Sequence, residues 1–173
     1  MGIFSKVQEV SMQSDRRAFP ERVGVYVIEL EKTLVVKSPK TKKFLAVVEF
    51  TVRKVIEGVE GEAHRLNEQL VTMWDVTTNS DGDFTEAAEY GVKRLKAFVR
   101  NALGGAYQGI EEDAITSELM EGIFGEPGKG GSETLKGVLM EMQIKAGVKP
   151  AKNGTLYPTV TFLALPPSDS LPF

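Results

Sequence analysis

Between Lys43 and Ile56, the residues Phe44, Ala46, Val48, Phe50 and Val52 fall on every second position. A two-residue period puts these side chains on one side of an extended backbone, so the segment reads as a strand with a buried face. A strand needs partners, and the flanking sequence supplies them. Upstream, Val23-Gly24-Val25-Tyr26-Val27-Ile28 and Leu34-Val35-Val36 are rich in β-branched and aromatic residues and read as one long first strand, which Gly24 allows to bend. The intervening Ser38-Pro39-Lys40-Thr41-Lys42 is turn chemistry, making a hairpin with a basic tip. Downstream, Gly58 and Gly61 frame an acidic turn, and Leu66 to Val76 gives a third strand with Leu70, Thr72, Trp74 and Val76 on one face.

Helical spacing then replaces alternation. Asp83 or Thr85 caps a run in which Ala88, Val92, Leu95, Phe98, Val99 and Leu103 recur every three or four residues, ending at Gly104-Gly105. A shorter helix is predicted over Glu111 to Ile123, with acids in its first turn where the helix dipole favours them. The glycine-rich stretch from Gly125 to Gly131 reads as a connection. It lacks the Gly-Lys-Ser/Thr sequence of a phosphate-binding loop. Two last strands follow, Thr134 to Ala146 and Leu156 to Leu165, joined by a basic loop closing on Asn153-Gly154.

Three strands, a helical insert and two strands match the order of a five-stranded OB-fold Greek-key barrel with its helices between strands 3 and 4. A sheet with helices packed on one side shares this order. A chain of 173 residues with 42% apolar content suits one such domain. The expected organisation is an N-terminal arm over 1–21, the barrel over 22–165 and a C-terminal tail over 166–173.

The formal net charge is −3, so any nucleic-acid surface must come from segregated charge. From Lys32 to Lys54 seven basic residues face one acid, Glu49, whereas Glu111 to Glu126 carries six acids and no base. In an OB-fold the nucleic-acid face spans strands 2 and 3 between the 1–2 and 4–5 loops. Both loops are basic here, with Lys37, Lys40, Lys42 and Lys43 in one and Lys149 and Lys152 in the other, while Arg53 and Lys54 extend a positive track along the second strand. Ammonium groups in a row follow phosphates without reading sequence, and unpaired bases add a need for flat apolar surfaces. Phe44 and Phe50 share the parity of the core residues. Trp74 suits either the core or a stacking platform, and Tyr157 beside the basic loop suits stacking.

The chain ends Leu165-Pro166-Pro167-Ser168-Asp169-Ser170-Leu171-Pro172-Phe173. A stiff, extended tail with an aromatic anchor and a free carboxylate suits a partner's apolar pocket with a basic rim. Asp169, Leu171, Pro172 and Phe173 resemble the tip of bacterial single-stranded DNA-binding proteins, and the whole chain is similar in plan to bacteriophage-encoded members. That resemblance implies docking of replication or recombination proteins on the tail. The tail carries one Asp where the cellular family has several, on a much shorter linker.

Zero cysteines and one histidine, His64, exclude thiolate metal sites, multi-histidine metal sites and cysteine nucleophiles within one chain. His64 reads as an exposed turn residue. Neither a cofactor nor a metal is expected. No apolar run reaches membrane-spanning length and the start lacks a signal-peptide pattern, so a cytoplasmic protein is expected. The leading expectation is a non-catalytic protein that binds single-stranded DNA, compatible with a homodimer. A second class is a structural or assembly protein of a virion, in which the lysines are ordinary surface charge, and a metal-assisted nuclease is the third.

Overall fold

The computed structural model describes residues 17–166. Strands β1 (Gly24–Lys37) and β2 (Phe44–Glu57) form a long antiparallel hairpin. Tyr26, Ile28 and Leu30 point inward from β1, and Ala46, Val48, Phe50 and Val52 answer from β2, all essentially buried. The pairing slips between Leu30 and Lys32, leaving Glu31 as an extra residue on β1. Such a bulge flips the parity of the strand beyond it, so Thr33 and Val35 turn to the core where even-numbered residues had faced it. The buried Thr33 hydroxyl donates to the Ile123 carbonyl, which ties the helical insert to β1.

The fold is mainly β. Strand β3 (Gln69–Asp75) pairs with β2, a two-residue β4 (Gly131–Ser132) pairs with Thr33 and Leu34, β5 (Leu139–Lys145) pairs with the first half of β1, and β6 (Thr159–Ala164) pairs with β5. The result is an antiparallel sheet in the order β3-β2-β1-β5-β6 with β4 beside β1. Six strands thus replace the expected five. The expected fourth strand, Thr134 to Ala146, is shortened because residues 134–137 make a turn that buries Leu135 and uses Gly137 at φ 88°. The last strand is shorter too, since Leu156 and Tyr157 lie exposed ahead of it.

Both helices lie between β3 and β4, as the sequence predicts. Helix α1 (Glu86–Ala102) starts at Thr85, whose side chain accepts from the Ala88 N–H, and buries Ala88, Gly91, Leu95, Phe98, Val99 and Ala102. The second predicted helix divides. Residues Glu112–Ala114 form a single 3-10 turn, and α2 (Ser117–Phe124) restarts after Thr116, which caps it by accepting from Leu119 N–H. The break follows from burial of Ile115, whose backbone leaves helical geometry to reach the core.

Gly91 lets α1 close directly on β3. A Cβ there would lie 2.5 Å from the Asp75 carbonyl oxygen, which is backbone and cannot swing away. In an open helix Gly→Ala stabilises by about 1 kcal/mol. Here Gly91→Ala is expected to do the reverse and cost about 1–2 kcal/mol through overpacking, read as a lower urea midpoint at unchanged slope.

The two edge strands approach each other. Trp74 on β3 and Phe162 on β6 have ring centroids 6.2 Å apart, and Phe98 of α1 packs on both at 5.0 and 5.2 Å. No ladder joins β3 to β6 among the described residues. The β6 carbonyls are met from α1 instead: Arg94 donates to Val160 O at 3.3 Å and Asn101 to Phe162 O at 2.9 Å. On the β3 side, Ala18 bridges to Leu70 and accepts from the Val71 N–H at 2.9 Å.

Residues 17–21, read from the sequence as the end of an arm, are hydrogen-bonded into the domain. Arg17 donates to the Phe50 and Leu70 carbonyls and pairs with Glu31. The imidazole of His64 is 2% exposed, not the exposed turn residue expected. Its Nε2 accepts from the N–H groups of Glu21 and Arg22, each at 3.1 Å, and its Nδ1 lies 2.7 Å from Glu68 Oε2. Because Nε2 accepts twice, the proton belongs on Nδ1 and is donated to Glu68. The His64 N–H in turn donates to Tyr26 Oη, which donates to Arg22 O. Burial pushes the Glu68 carboxyl up, but hydrogen bonds from Arg65 N–H and His64 outweigh it and hold the group below the usual range.

Candidate nucleic-acid interface

The β1–β2 connection is a compact, exposed turn. Ser38 N–H donates to Lys43 O and Lys42 N–H to Ser38 O, and Lys42 adopts φ 63° to close it. Lys37, Lys40, Lys42 and Lys43 all project from this tip and are exposed. Lys37 Nζ lies 5.6 Å from the Phe44 ring centroid, and Lys43 pairs with Asp75 at 3.6 Å. Burial raises the Asp75 carboxyl, but hydrogen bonds from the Thr77 hydroxyl and N–H, with the Lys43 charge, outweigh it and hold the group below its ordinary value. Phe44 is half-buried and, with Phe84, Met120 and Phe124, lines an apolar cleft of ≈ 670 Å³ beneath the tip.

The β5–β6 connection is the second basic loop. Asn153 organises it, accepting from Thr155 N–H at 3.0 Å and donating to Tyr157 Oη at 3.2 Å. Lys149, Lys152 and Tyr157 are exposed. The loop legs close tightly at Gly147, where a Cβ would lie 2.2 Å from the Tyr157 carbonyl oxygen.

Pairing registers put the two loops at opposite ends of β1, since Lys37 faces Phe44 at one end and Gly24 faces Ile144 at the other. Along a fully extended β1 that separation would be roughly 45 Å. A groove lies between β3 and β6, and its lining includes none of the lysines of the two loops. Its β3 wall is Thr72 to Trp74, next to the Asp75 that holds Lys43, and its β6 wall is Pro158 to Phe162, directly after the second basic loop. The groove measures ≈ 600 Å³, with Phe19 and Pro20 on one flank and Tyr90 and Arg94 of α1 on another.

One sequence expectation left two readings open, and another needs correction. Trp74 is 9% exposed, its ring packed against Phe98 and Phe162, so it is a core residue whose edge reaches the groove and not an open stacking platform. The positive track along β2 is broken. Arg53 is paired with Glu29 at 3.0 Å and bonded to Asn67 at 3.1 Å. Between Arg53 and the tip lie Glu49, at 3.9 Å from Arg17, and the Glu31 carboxylate, which binds Arg17 and the Thr51 hydroxyl. Burial raises the Glu31 carboxyl, yet the hydrogen bonds from Thr51 and Arg17 hold it low, as an ion. Lys54 lies on the same stretch of β2 and is half-buried. Asp169, Leu171, Pro172 and Phe173 lie outside the described residues.

Sequence reasoning missed Phe19, Tyr90 and Arg94. Tyr90 and Arg94 had a legible signal, an aromatic and a cation four apart on α1 and off its apolar stripe. The guanidinium carbon of Arg94 lies 5.8 Å from the Tyr90 ring centroid. Phe19 had none, because only the Ala18 bridge brings it to β3.

No protein-family model matches the chain, and a search of curated proteins finds no match. Among the described residues no helix is long and apolar enough to cross a membrane.

Proposed function

We propose that this chain is a sequence-nonspecific single-stranded DNA-binding protein, non-catalytic, whose curled sheet is an open OB-like barrel. The observation that carries the reading is the groove between β3 and β6, whose walls lead into two exposed basic loops. Trp74 precedes the Asp75 that pairs with Lys43 of the tip, which also carries Lys37, Lys40 and Lys42, and Pro158 follows the loop of Lys149 and Lys152. The strand order and the helices between β3 and β4 support the OB-like reading, with β1 paired to both β2 and β5. Flexible ammonium groups beside a groove hold a phosphate backbone by releasing its counterions, with no need for base recognition. The duplex has no unpaired bases to enter the groove. On this reading the C-terminal Asp169, Leu171, Pro172 and Phe173 recruit replication or recombination proteins, as their resemblance to the bacterial tip implies, and the protein works in the cytoplasm of a phage-infected host.

The test is a titration of the single tryptophan, Trp74, with oligothymidine at two salt concentrations, repeated with a duplex of equal length. Quenching that saturates, weakens steeply with salt and is much smaller with the duplex is expected. A flat titration at low salt would remove the reading.

A further inference from the structure

Resting on that reading, we infer that the groove between β3 and β6 is a base-stacking site in which Phe19 and Tyr90 hold unstacked bases and Arg94 meets the backbone between them. The groove is an unassigned feature with the right chemistry. Phe19 is 52% exposed and Tyr90 66%, so two aromatic faces stand in water on its flanks. Arg94 is oriented by its bond to Val160 O and by the Tyr90 ring, which leaves a charged plane held beside an aromatic one. Met73, 37% exposed, adds a polarisable apolar surface next to Trp74, and Thr72, Thr159 and Thr161 supply hydroxyls for base edges.

An extended peptide is the competing occupant of any groove between two strand edges. Here the edges are partly spent. Arg94 and Asn101 already occupy the Val160 and Phe162 carbonyls of β6, and Ala18 occupies the Val71 N–H of β3. An added strand would find few backbone partners, whereas a base needs only the faces that are exposed. Lys43, held by the Asp75 that follows Trp74, and the loop of Lys149 and Lys152 that leads into Pro158 put positive charge in the chain next to each wall, which suits a polyanion.

The test compares Phe19→Ala, Tyr90→Ala and their double variant with the parent chain in the oligothymidine titration. Each single variant is expected to lose roughly five- to a hundredfold in affinity, the range for one stacked base, with the salt slope unchanged because no cation is removed. Both side chains are more than half exposed, so the thermal midpoint stays within a few degrees and reports that the fold is intact. A second measurement is photocrosslinking of a 5-iodouridine oligonucleotide, with adducts expected on Phe19 or Tyr90. Parent-like affinity in the double variant, with adducts elsewhere, overturns the groove as the site while single-stranded DNA binding stands, and leaves the groove to another occupant such as a peptide. Failure of the parent chain itself to bind overturns both.

Discussion

Replacing Lys40, Lys42 and Lys43 together with alanine is expected to weaken oligothymidine binding about a hundredfold near 0.1 M salt. The figure follows from counterion release: each phosphate neutralised on a single strand contributes about 0.7 to the slope of log affinity against log salt. Losing three contacts therefore flattens that slope by about 2, and the gap between variant and parent narrows as salt rises. The three side chains are exposed on a turn closed by backbone bonds from Ser38 N–H to Lys43 O and from Lys42 N–H to Ser38 O, so the fold has little to lose. The Lys43 ammonium pairs with Asp75, and a pair with one exposed partner of this kind contributes about 1 kcal/mol at most. A triple variant that keeps the parental affinity and slope at two salt concentrations would detach the hairpin tip from DNA binding. The Lys149 and Lys152 loop would then be the remaining basic border.

The second large effect concerns stability. His64→Ala is expected to cost about 3 kcal/mol, lowering the thermal midpoint by roughly 10 °C for a domain of this size. The imidazole is the acceptor for two backbone N–H groups, of Glu21 and Arg22, and a donor to Glu68, all around a ring that is 2% exposed. Alanine leaves those donors without an acceptor and opens a void beside Tyr26, whose ring meets the imidazole edge-on at 5.5 Å. The chain entering β1 would lose its anchor, so amide exchange at residues 18–22 should quicken before the rest of the sheet does. Wild-type exchange and melting in the variant would show that the histidine cluster is incidental.

How far the sequence could be read follows from the range of each interaction. Strand β2 was legible because its inward residues repeat every second position without a break, and α1 because Thr85 caps a clean apolar stripe. The bulge at Glu31 was not legible, since the parity change depends on which β2 residue sits opposite. The early part of the expected fourth strand failed because Leu135 looks like strand core but is buried by a turn. For the candidate site, the basic loops were legible as charge runs. Pairing of Arg53 with Glu29 was not, because it crosses between strands, and neither was the groove, whose walls come together only through the curl of the sheet. Trp74 and His64 illustrate the same limit: polar or mixed neighbours in sequence did not reveal what covers them in space.

The unladdered approach of β3 to β6 means that this seam is closed by side chains rather than by backbone. All six strands are hydrogen-bonded to a neighbour, whereas between β3 and β6 the two edges are related, among the described residues, through aromatic contacts and through α1, which is bonded to β6 by Arg94 and Asn101. Parting the edges slightly would slide rings over one another without breaking a backbone bond between them. How far the seam could open is set by α1, which closes on β3 at Gly91 and is bonded to β6 by Arg94 and Asn101, so the helix acts as the clasp of the sheet.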